Sequence, residues 1–227
     1  MKKYAIIVAG GSGRRMGTDV PKQFLLLAGR PVLMYAIEAF HRYDAEMKII
    51  LVLPAAQQDY WQKLCVEHKF SIAVTLVSGG NSRFLSVKNG LAEVKDSDAL
   101  VAVHDGVRPL VTSEIIASVF EAAAGHDAAY PAVPVVDTLR KITLEGKVKD
   151  VEREQFRLVQ TPQVFHAPVL REAYADAPDS PHYTDDVSVV TVKLECEPQI
   201  VAGSKENIKI TTPEDLLLAE AILKCRK

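Results

Sequence analysis

Tyr4-Ala5-Ile6-Ile7-Val8-Ala9-Gly10-Gly11-Ser12-Gly13-Arg14-Arg15-Met16-Gly17 begins as an unbroken apolar run and ends as a basic, glycine-rich loop. A strand that is apolar at every position is buried on both faces, as in a parallel sheet between helix layers. Four more short runs share this character: Lys48–Leu53, Ile72–Val77, Ala99–Val103 and Ala128–Val136. The stretches between them, Pro31–His41, Ala55–His68, Ser82–Val94 and Thr112–Ala124, suit helices. Pro31 is placed at a first helical position, and Ser82 and Thr112 as N-caps. Strands and helices in alternation predict an α/β fold, a mostly parallel twisted sheet between helix layers.

The rhythm changes near Asp137. Thr138–Thr143 and Lys147–Val151 alternate polar and apolar residues around Glu145-Gly146, which predicts a β-hairpin. A two-stranded ribbon is marginal alone, so it packs either on its own domain or, as a protruding arm, on a second subunit. Leu158–Phe165 is expected to return to a strand, and Thr212-Pro213-Glu214-Asp215 carries the cap, proline and acids that open a last helix. Without repeats or linkers, residues 1–227 are expected to form one domain with an embedded arm at about 137–157.

Composition narrows the function. The 227 residues, 48% hydrophobic and 25% charged, suffice to bury a core without disulfide or metal staples. Lys+Arg 27 against Asp+Glu 29 leaves a formal charge of -2, so the broad basic face of a nucleic-acid binder is not expected. Cys65, Cys196 and Cys225 are odd in number and far apart, which suits reduced thiols in the cytoplasm. The apolar run after Lys2-Lys3 is too short for a signal peptide. No stretch approaches the ~18 apolar residues of a membrane span. Because the sequence stops soon after its last helix, no fused partner is expected.

In an open parallel sheet, ligands bind beyond the carboxyl ends of the strands. After the first strand, Gly10, Gly11 and Gly13 let a backbone approach phosphate oxygens, and Arg14, Arg15 and Lys22 follow. The dinucleotide fingerprint fails here because Met16 stands where its last glycine belongs, and the P-loop fails for want of Gly-Lys-Ser/Thr. After the third strand come Gly79, Gly80, Asn81, Ser82, Arg83 and Ser86, where Asn81 or Ser82 either meets a ligand or only caps the next helix. After the fourth come His104-Asp105-Gly106-Val107-Arg108-Pro109. Asp105 either holds Mg²⁺ bridging phosphates or pairs with Arg108 in a turn, and His104 is assigned no role. Arg153, Thr161-Pro162-Gln163 and Asn207-Ile208-Lys209 are weaker signals. His166, His182, Asp185 and Asp186 match no metal-ligand spacing.

Taken together, Gly10-Gly11-x-Gly13-x-Arg15-Met16, Pro21-Lys22-Gln23, Gly79-Gly80-x-x-Arg83 with Ser86-Val87, His104-Asp105-x-x-Arg108-Pro109, Thr161-Pro162-Gln163 and Asn207-Ile208-Lys209 resemble one family. It is that of the 2-C-methyl-D-erythritol 4-phosphate cytidylyltransferases of the non-mevalonate isoprenoid pathway. The resemblance runs from Ala5 to Ile222 and implies a Rossmann-like nucleotidyltransferase fold, transfer of CMP from CTP to a polyol phosphate, and Mg²⁺ as cofactor. It implies that Arg15 and Lys22 stabilise the transition state, while Arg153 and Lys209 position the phosphate substrate. Ala9, Gly10, Gly11, Gly13, Gly80, Asn81, Ser86, Asp105 and Gly106 would bind the nucleotide, with Asp105 near the metal. Thr138, Thr161 and Arg108 would join Arg153 and Lys209 at the second substrate. The family is typically a homodimer, joined through the hairpin arm, so Arg153 or Thr138 would serve the neighbour's site.

Two rival readings stand beside it. Ribitol-5-phosphate cytidylyltransferases share the glycine loop and the C-terminal lysine motif, whereas Val151-Glu152-Arg153-Glu154 and Thr184-Asp185-Asp186-Val187-Ser188 look more like the methylerythritol enzymes. A non-enzymatic nucleotide-binding module on the same scaffold is the other, because fold alone does not fix function.

Overall fold

The computed structural model describes residues 1–11 and 20–226. Its first strand, β1 (Lys2–Val8), is followed by a short 3-10 turn at Lys22–Phe24 and two tiny paired strands, β2 (Leu26–Leu27) and β3 (Arg30–Pro31). The alternation then runs α1 (Val32–Tyr43), β4 (Lys48–Leu53), α2 (Ala55–Glu67), β5 (Thr75–Ser78), α3 (Arg83–Leu91), β6 (Ala99–Asp105), α4 (Ser113–Ala124) and β7 (Ala128–Pro134). A ribbon of β8 (Arg140–Ile142) and β9 (Val148–Asp150) precedes β10 (Arg157–Val159) and β11 (Gln163–His166). The chain closes with α5 (Ala167–Asp176), α6 (Asp186–Lys193), β12 (Gln199–Ala202) and α7 (Pro213–Cys225).

Strands β5, β4, β1 and β6 lie side by side and parallel, with β11 antiparallel between β6 and β7. The apolar run of β1 serves both faces of this sheet. Ala5, Ile7 and Ala9 pack with α1, α2 and α4 on one side, while Tyr4, Ile6 and Val8 pack with α3, α5 and α6 on the other. That two-sided burial is why the sequence shows no alternation there. On the second face α3 comes so close that a Cβ at Gly90 would lie 2.7 Å from Ile6 Cγ2 and 2.9 Å from Val52 Cγ2. A third apolar cluster joins Leu27, Val32, Val107, Leu110 and Ile210 under α7 through Ala219.

Several expectations need adjusting. Pro31 is the N-cap of α1 rather than its first helical residue, because its carbonyl side is extended (ψ 133°) and it closes the β2–β3 pair. The third strand starts at Thr75, later than Ile72. Leu158–Phe165 is two strands. Val159 pairs with Ala132 and Val164 with Ala129, so on the β7 side residues 160–163 stand opposite only residues 130–131 and the chain bulges there, while Gln163 stays paired with Val103 of β6. Ser82 and Thr112 cap α3 and α4 as expected, each hydroxyl accepting the N–H three residues on. Thr212 and Asp215 form a capping box at α7. The hairpin turns at Gly146, whose φ of +76° suits glycine. Its strands are exposed throughout and stand apart from the main sheet. Among the described residues, no helix is long and apolar enough to cross a membrane.

Candidate active site

The carboxyl ends of β1, β5 and β6 open together because hydrogen bonds carry the ladder one residue past each strand. Ala9 N–H donates to Val52 (3.0 Å), Gly79 N–H to Leu53 (2.8 Å) and Gly106 N–H to Val8 (2.9 Å). Beyond them lies a cleft of about 220 Å³ whose lining includes Ala9, Gly10, Gly11, Lys22, Gly80, Asn81, Ser86, Asp105 and Lys209. A Cβ at Gly10 would meet nothing nearer than 3.9 Å, so its bare backbone is what a ligand would meet. Lys22 projects from the 3-10 turn that Gln23 and Phe24 anchor in the core, and its Cε crosses 3.1 Å from where a Gly11 Cβ would be.

Gly80 is fixed differently. A Cβ there would lie 2.4 Å from Leu85 Cβ, so the loop closes tightly onto α3. Its N–H donates to Ser86 Oγ (3.1 Å), whose hydroxyl donates to the Ser82 carbonyl (2.8 Å). The buried Ser86 hydroxyl thus holds the loop in shape. Ser82 is the capping residue of the pair, while Asn81 is exposed and faces the cleft.

A second cleft, of about 240 Å³, adjoins the first and shares Arg83, Asp105 and Lys209 with it. Arg108, Val159, Gln160, Thr161, Gln163, Thr184 and Asp185 complete its wall. Three cations converge on the Asp105 carboxylate: Lys209 Nζ at 2.8 Å, Arg83 Nε at 3.5 Å and Arg108 Nε at 3.7 Å. Burial alone would raise the pKa of Asp105, but Arg83, Lys209 and Arg108 hold it well below the carboxylate range. Both readings of Asp105 start from this arrangement, since the turn to Arg108 is also present (Arg108 N–H to Asp105 carbonyl, 2.9 Å).

The bulge after β10 is what brings Thr161 here. Thr161 Oγ1 accepts the Asp105 N–H (3.1 Å) and meets His104 Nδ1 at 3.0 Å. Gln160 and Asn207 tie the bulge to the C-terminal segment. Gln160 donates to the Ser204 carbonyl (2.7 Å), and Asn207 donates to the Thr161 carbonyl (3.0 Å). Arg108 donates to the Asn207 carbonyl (2.7 Å), and Ile210 N–H donates to the Val107 carbonyl (2.8 Å). These bonds set Lys209 beside Asp105.

Arg83 was read only as part of a motif, yet it bridges the two clefts. Its guanidinium donates in bidentate fashion to Asp186 (3.0 and 2.6 Å), a fully buried carboxylate that also accepts from Tyr174 (2.6 Å). Burial would lower the pKa of Arg83, but Asp186 and Asp105 raise it above its ordinary value. Gln163 Oε1 in turn accepts the N–H groups of Asp186 and Val187, and its amide donates to Asp185 (2.8 Å). The Thr161-Pro162-Gln163 motif hinted at these contacts; Asp186 is marked in the sequence only as part of Thr184–Ser188, and its pairing with Arg83 and Tyr174 gave no signal, because these side chains meet only in the fold.

Of the remaining expected site residues, Gly106 packs under Leu33 and Ala9 rather than lining a cleft. Thr138 and Arg153 are exposed on the ribbon and its base and line neither cleft; Arg153 donates to the Val136 carbonyl (2.7 Å). Gly13 and Arg15 lie outside the described residues. No three His, Cys, Asp or Glu side chains converge among the described residues. Mg²⁺, however, is commonly held by one or two carboxylates when phosphates supply other ligands. Asp105 offers one carboxylate to both clefts, so the donor set fits an ion that arrives with a triphosphate.

The family model for IspD, 2-C-methyl-D-erythritol 4-phosphate cytidylyltransferase, matches residues 4–225. The chain belongs to this family. A relative of that name from Azobacteroides pseudotrichonymphae is 53% identical over 98% of this chain and 99% of its own length. Another from Bacteroides thetaiotaomicron is 52% identical over 98% of this chain and all of its own. Among solved structures, a 4-diphosphocytidyl-2C-methyl-D-erythritol synthase from Anaerococcus prevotii superposes with a TM-score of 0.85 at 30% identity, over 98% of this chain and 96% of the other. The Thermus thermophilus 2-C-methyl-D-erythritol 4-phosphate cytidylyltransferase gives 0.78 at 34%, over 99% and 100%. The α/β nucleotidyltransferase fold and cytidylyltransferase activity in the non-mevalonate pathway follow from membership.

Proposed function

We propose that the two adjoining clefts are the nucleotide and polyol-phosphate halves of one site, which transfers CMP from CTP to 2-C-methyl-D-erythritol 4-phosphate. The products are 4-diphosphocytidyl-2-C-methyl-D-erythritol and pyrophosphate. The observation that carries this reading is the shared wall of Arg83, Asp105 and Lys209, which puts both compartments around one cluster of charge. CTP lies over Ala9, Gly10 and Gly80, with its triphosphate toward Gly11 and Lys22, and the family resemblance assigns Arg15 to stabilising the transition state. The polyol phosphate enters beside Arg108, Thr161 and Lys209. One of its phosphate oxygens bonds to the α-phosphorus of CTP as the bond to the β-phosphate oxygen breaks, and pyrophosphate takes the electron pair away.

Such a transfer needs positioning and neutralisation of charge more than covalent help from the protein. The attacking phosphate is already anionic, so no general base is required. Arginine suits a fork of phosphate oxygens and lysine a point charge, which divides the work between Arg15 or Arg108 and Lys22 or Lys209. Asp105 keeps Lys209, Arg83 and Arg108 together before substrate arrives and would hold Mg²⁺. Bound there, the ion would neutralise triphosphate charge and polarise the α-phosphate.

Arg153 and Thr138 line neither cleft of their own chain, which supports a homodimer in which the ribbon delivers them to the partner's site. The ribbon's exposed Ile142, Leu144 and Val148 suit such an interface. Three free cysteines suit a cytoplasmic enzyme. The test is to incubate the protein with Mg²⁺, CTP and 2-C-methyl-D-erythritol 4-phosphate and identify the product by phosphorus NMR and mass. A diphosphate-linked cytidine product supports the reading, and recovery of both substrates unchanged overturns it.

A further inference from the structure

Val101, Ala102 and Val103 of β6 are apolar, and the next residue, His104, is polar yet completely buried. Its ring leaves no freedom in how hydrogens are placed. The Arg108 carbonyl, 3.2 Å from Nε2, can only accept, so Nε2 carries the hydrogen. In the neutral ring Nδ1 must then accept, and the group it faces is the Thr161 hydroxyl at 3.0 Å. Thr161 Oγ1 in turn accepts the Asp105 N–H at 3.1 Å. The chain therefore runs one way, from Asp105 N–H to Thr161 hydroxyl to His104 Nδ1, and from His104 Nε2 to the Arg108 carbonyl. Phe40 meets the ring edge-to-face at a centroid distance of 5.0 Å and an interplanar angle of 66°, which holds its plane.

We propose that His104 is a positioning residue for the second substrate, fixing the Thr161 bulge against the Asp105–Arg108 turn and so setting the shape of the polyol-phosphate compartment. This rests on the two-compartment reading above and deepens it. Buried beneath the cleft, His104 acts only through others. Of the groups it joins, Thr161 and Arg108 line the second cleft and not the first, while Asp105 borders both. An apolar side chain at position 104 would leave the Thr161 hydroxyl hydrogen and the Arg108 carbonyl without partners in a buried place. Its consequence should fall on one substrate. The nucleotide half is shaped by a separate set of bonds through Ser86 and Ser82.

The experiment is steady-state kinetics of the full chain with Mg²⁺, varying each substrate in turn, for wild type, His104→Phe, His104→Gln, Thr161→Val and the His104→Phe/Thr161→Val double variant. His104→Phe and Thr161→Val are expected to raise KM for the polyol phosphate about tenfold, the factor that follows from losing roughly one buried hydrogen bond. KM for CTP should stay within about twofold of wild type, on the same reasoning. His104→Gln keeps a donor and an acceptor and should recover part of the loss. The double variant should be no worse than the worse single one, because both break the same chain. The proposal is overturned if KM for CTP rises as much as KM for the polyol phosphate, if neither changes, or if the two losses simply add. Should His104→Phe fail to fold, Thr161→Val and His104→Gln carry the same comparison. A wild-type protein inactive with both substrates would overturn the two-compartment reading itself, and this inference with it.

Discussion

At the scale of single residues, charge is stored around two buried carboxylates, and the sequence disclosed them unequally. Asp105 stood out because it ends an apolar strand and precedes an arginine by three positions. Asp186 stood out only as part of Thr184–Ser188, without its pairing, since its partners Arg83 and Tyr174 come from other helices. Removing Arg83 would leave the fully buried Asp186 without its counter-charge, and breaking such a pair costs about 3–5 kcal/mol. Arg83→Ala is therefore expected to lower urea stability by that order, and a loss under about 1 kcal/mol would show that the pair is solvated. His104 makes stability depend on pH. Burial holds its folded pKa down to about 4 from an ordinary 6.5, so between these values the unfolded chain binds a proton that the folded one does not. Stability thus falls as pH drops from about 6.5 toward 4, by roughly 3 kcal/mol for such a shift, and levels off below it as far as this group is concerned. Asp105, with its lowered pKa, adds a further loss as pH falls through the carboxylate range. Urea titrations at pH 7, 5.5 and 4.5 without metal should show the decline, and His104→Gln should flatten the part above the carboxylate range.

At the scale of elements, the strands and helices that build the parallel half of the sheet were legible, and their caps with them. Lys48–Leu53 is a strand at both predicted ends, and Ser82, Thr112 and Thr212 each start the helix they signal. What escaped was whatever depends on a partner. The apolar pattern of Leu158–Phe165 reads as one strand, and nothing local says that on the β7 side residues 160–163 must stand opposite only residues 130–131. That bulge is what carries Gln160 and Thr161 into the site. The elements α5, α6 and β12 were not assigned, because short amphipathic pieces between prolines and acids give little periodicity. Gly90 also belongs to this scale, since in sequence it is only a poor helix former. Gly90→Val would push a branched side chain onto Ile6 and Val52, and overpacking of this kind costs about 1–3 kcal/mol. Thermal melts read the effect, and an unchanged midpoint would mean that α3 can lift from the sheet.

At the scale of the whole molecule, the motifs converge where an α/β sheet places its ligands, while Arg153 and Thr138 stand apart on the ribbon. Convergence was legible because function in this fold follows strand ends, but nothing local in the sequence says what an exposed ribbon packs on. The dimer reading makes a definite prediction. Arg153→Ala and Lys209→Ala homodimers should each be nearly inactive. Mixed and allowed to exchange subunits, half of the dimers become mixed and each of these regains one intact site, so about a quarter of wild-type activity should return. If Arg153 serves its own chain, mixing restores nothing.

The most direct test of the central claim is pyrophosphate release with Mg²⁺ and CTP, comparing 2-C-methyl-D-erythritol 4-phosphate with ribitol 5-phosphate at matched concentrations. A kcat/KM for the methylerythritol substrate that exceeds the other by about 10²-fold or more, in the range where site hydrogen bonds discriminate between substrates, is the predicted result. Equal rates, a preference for ribitol 5-phosphate, or no pyrophosphate with either would contradict it.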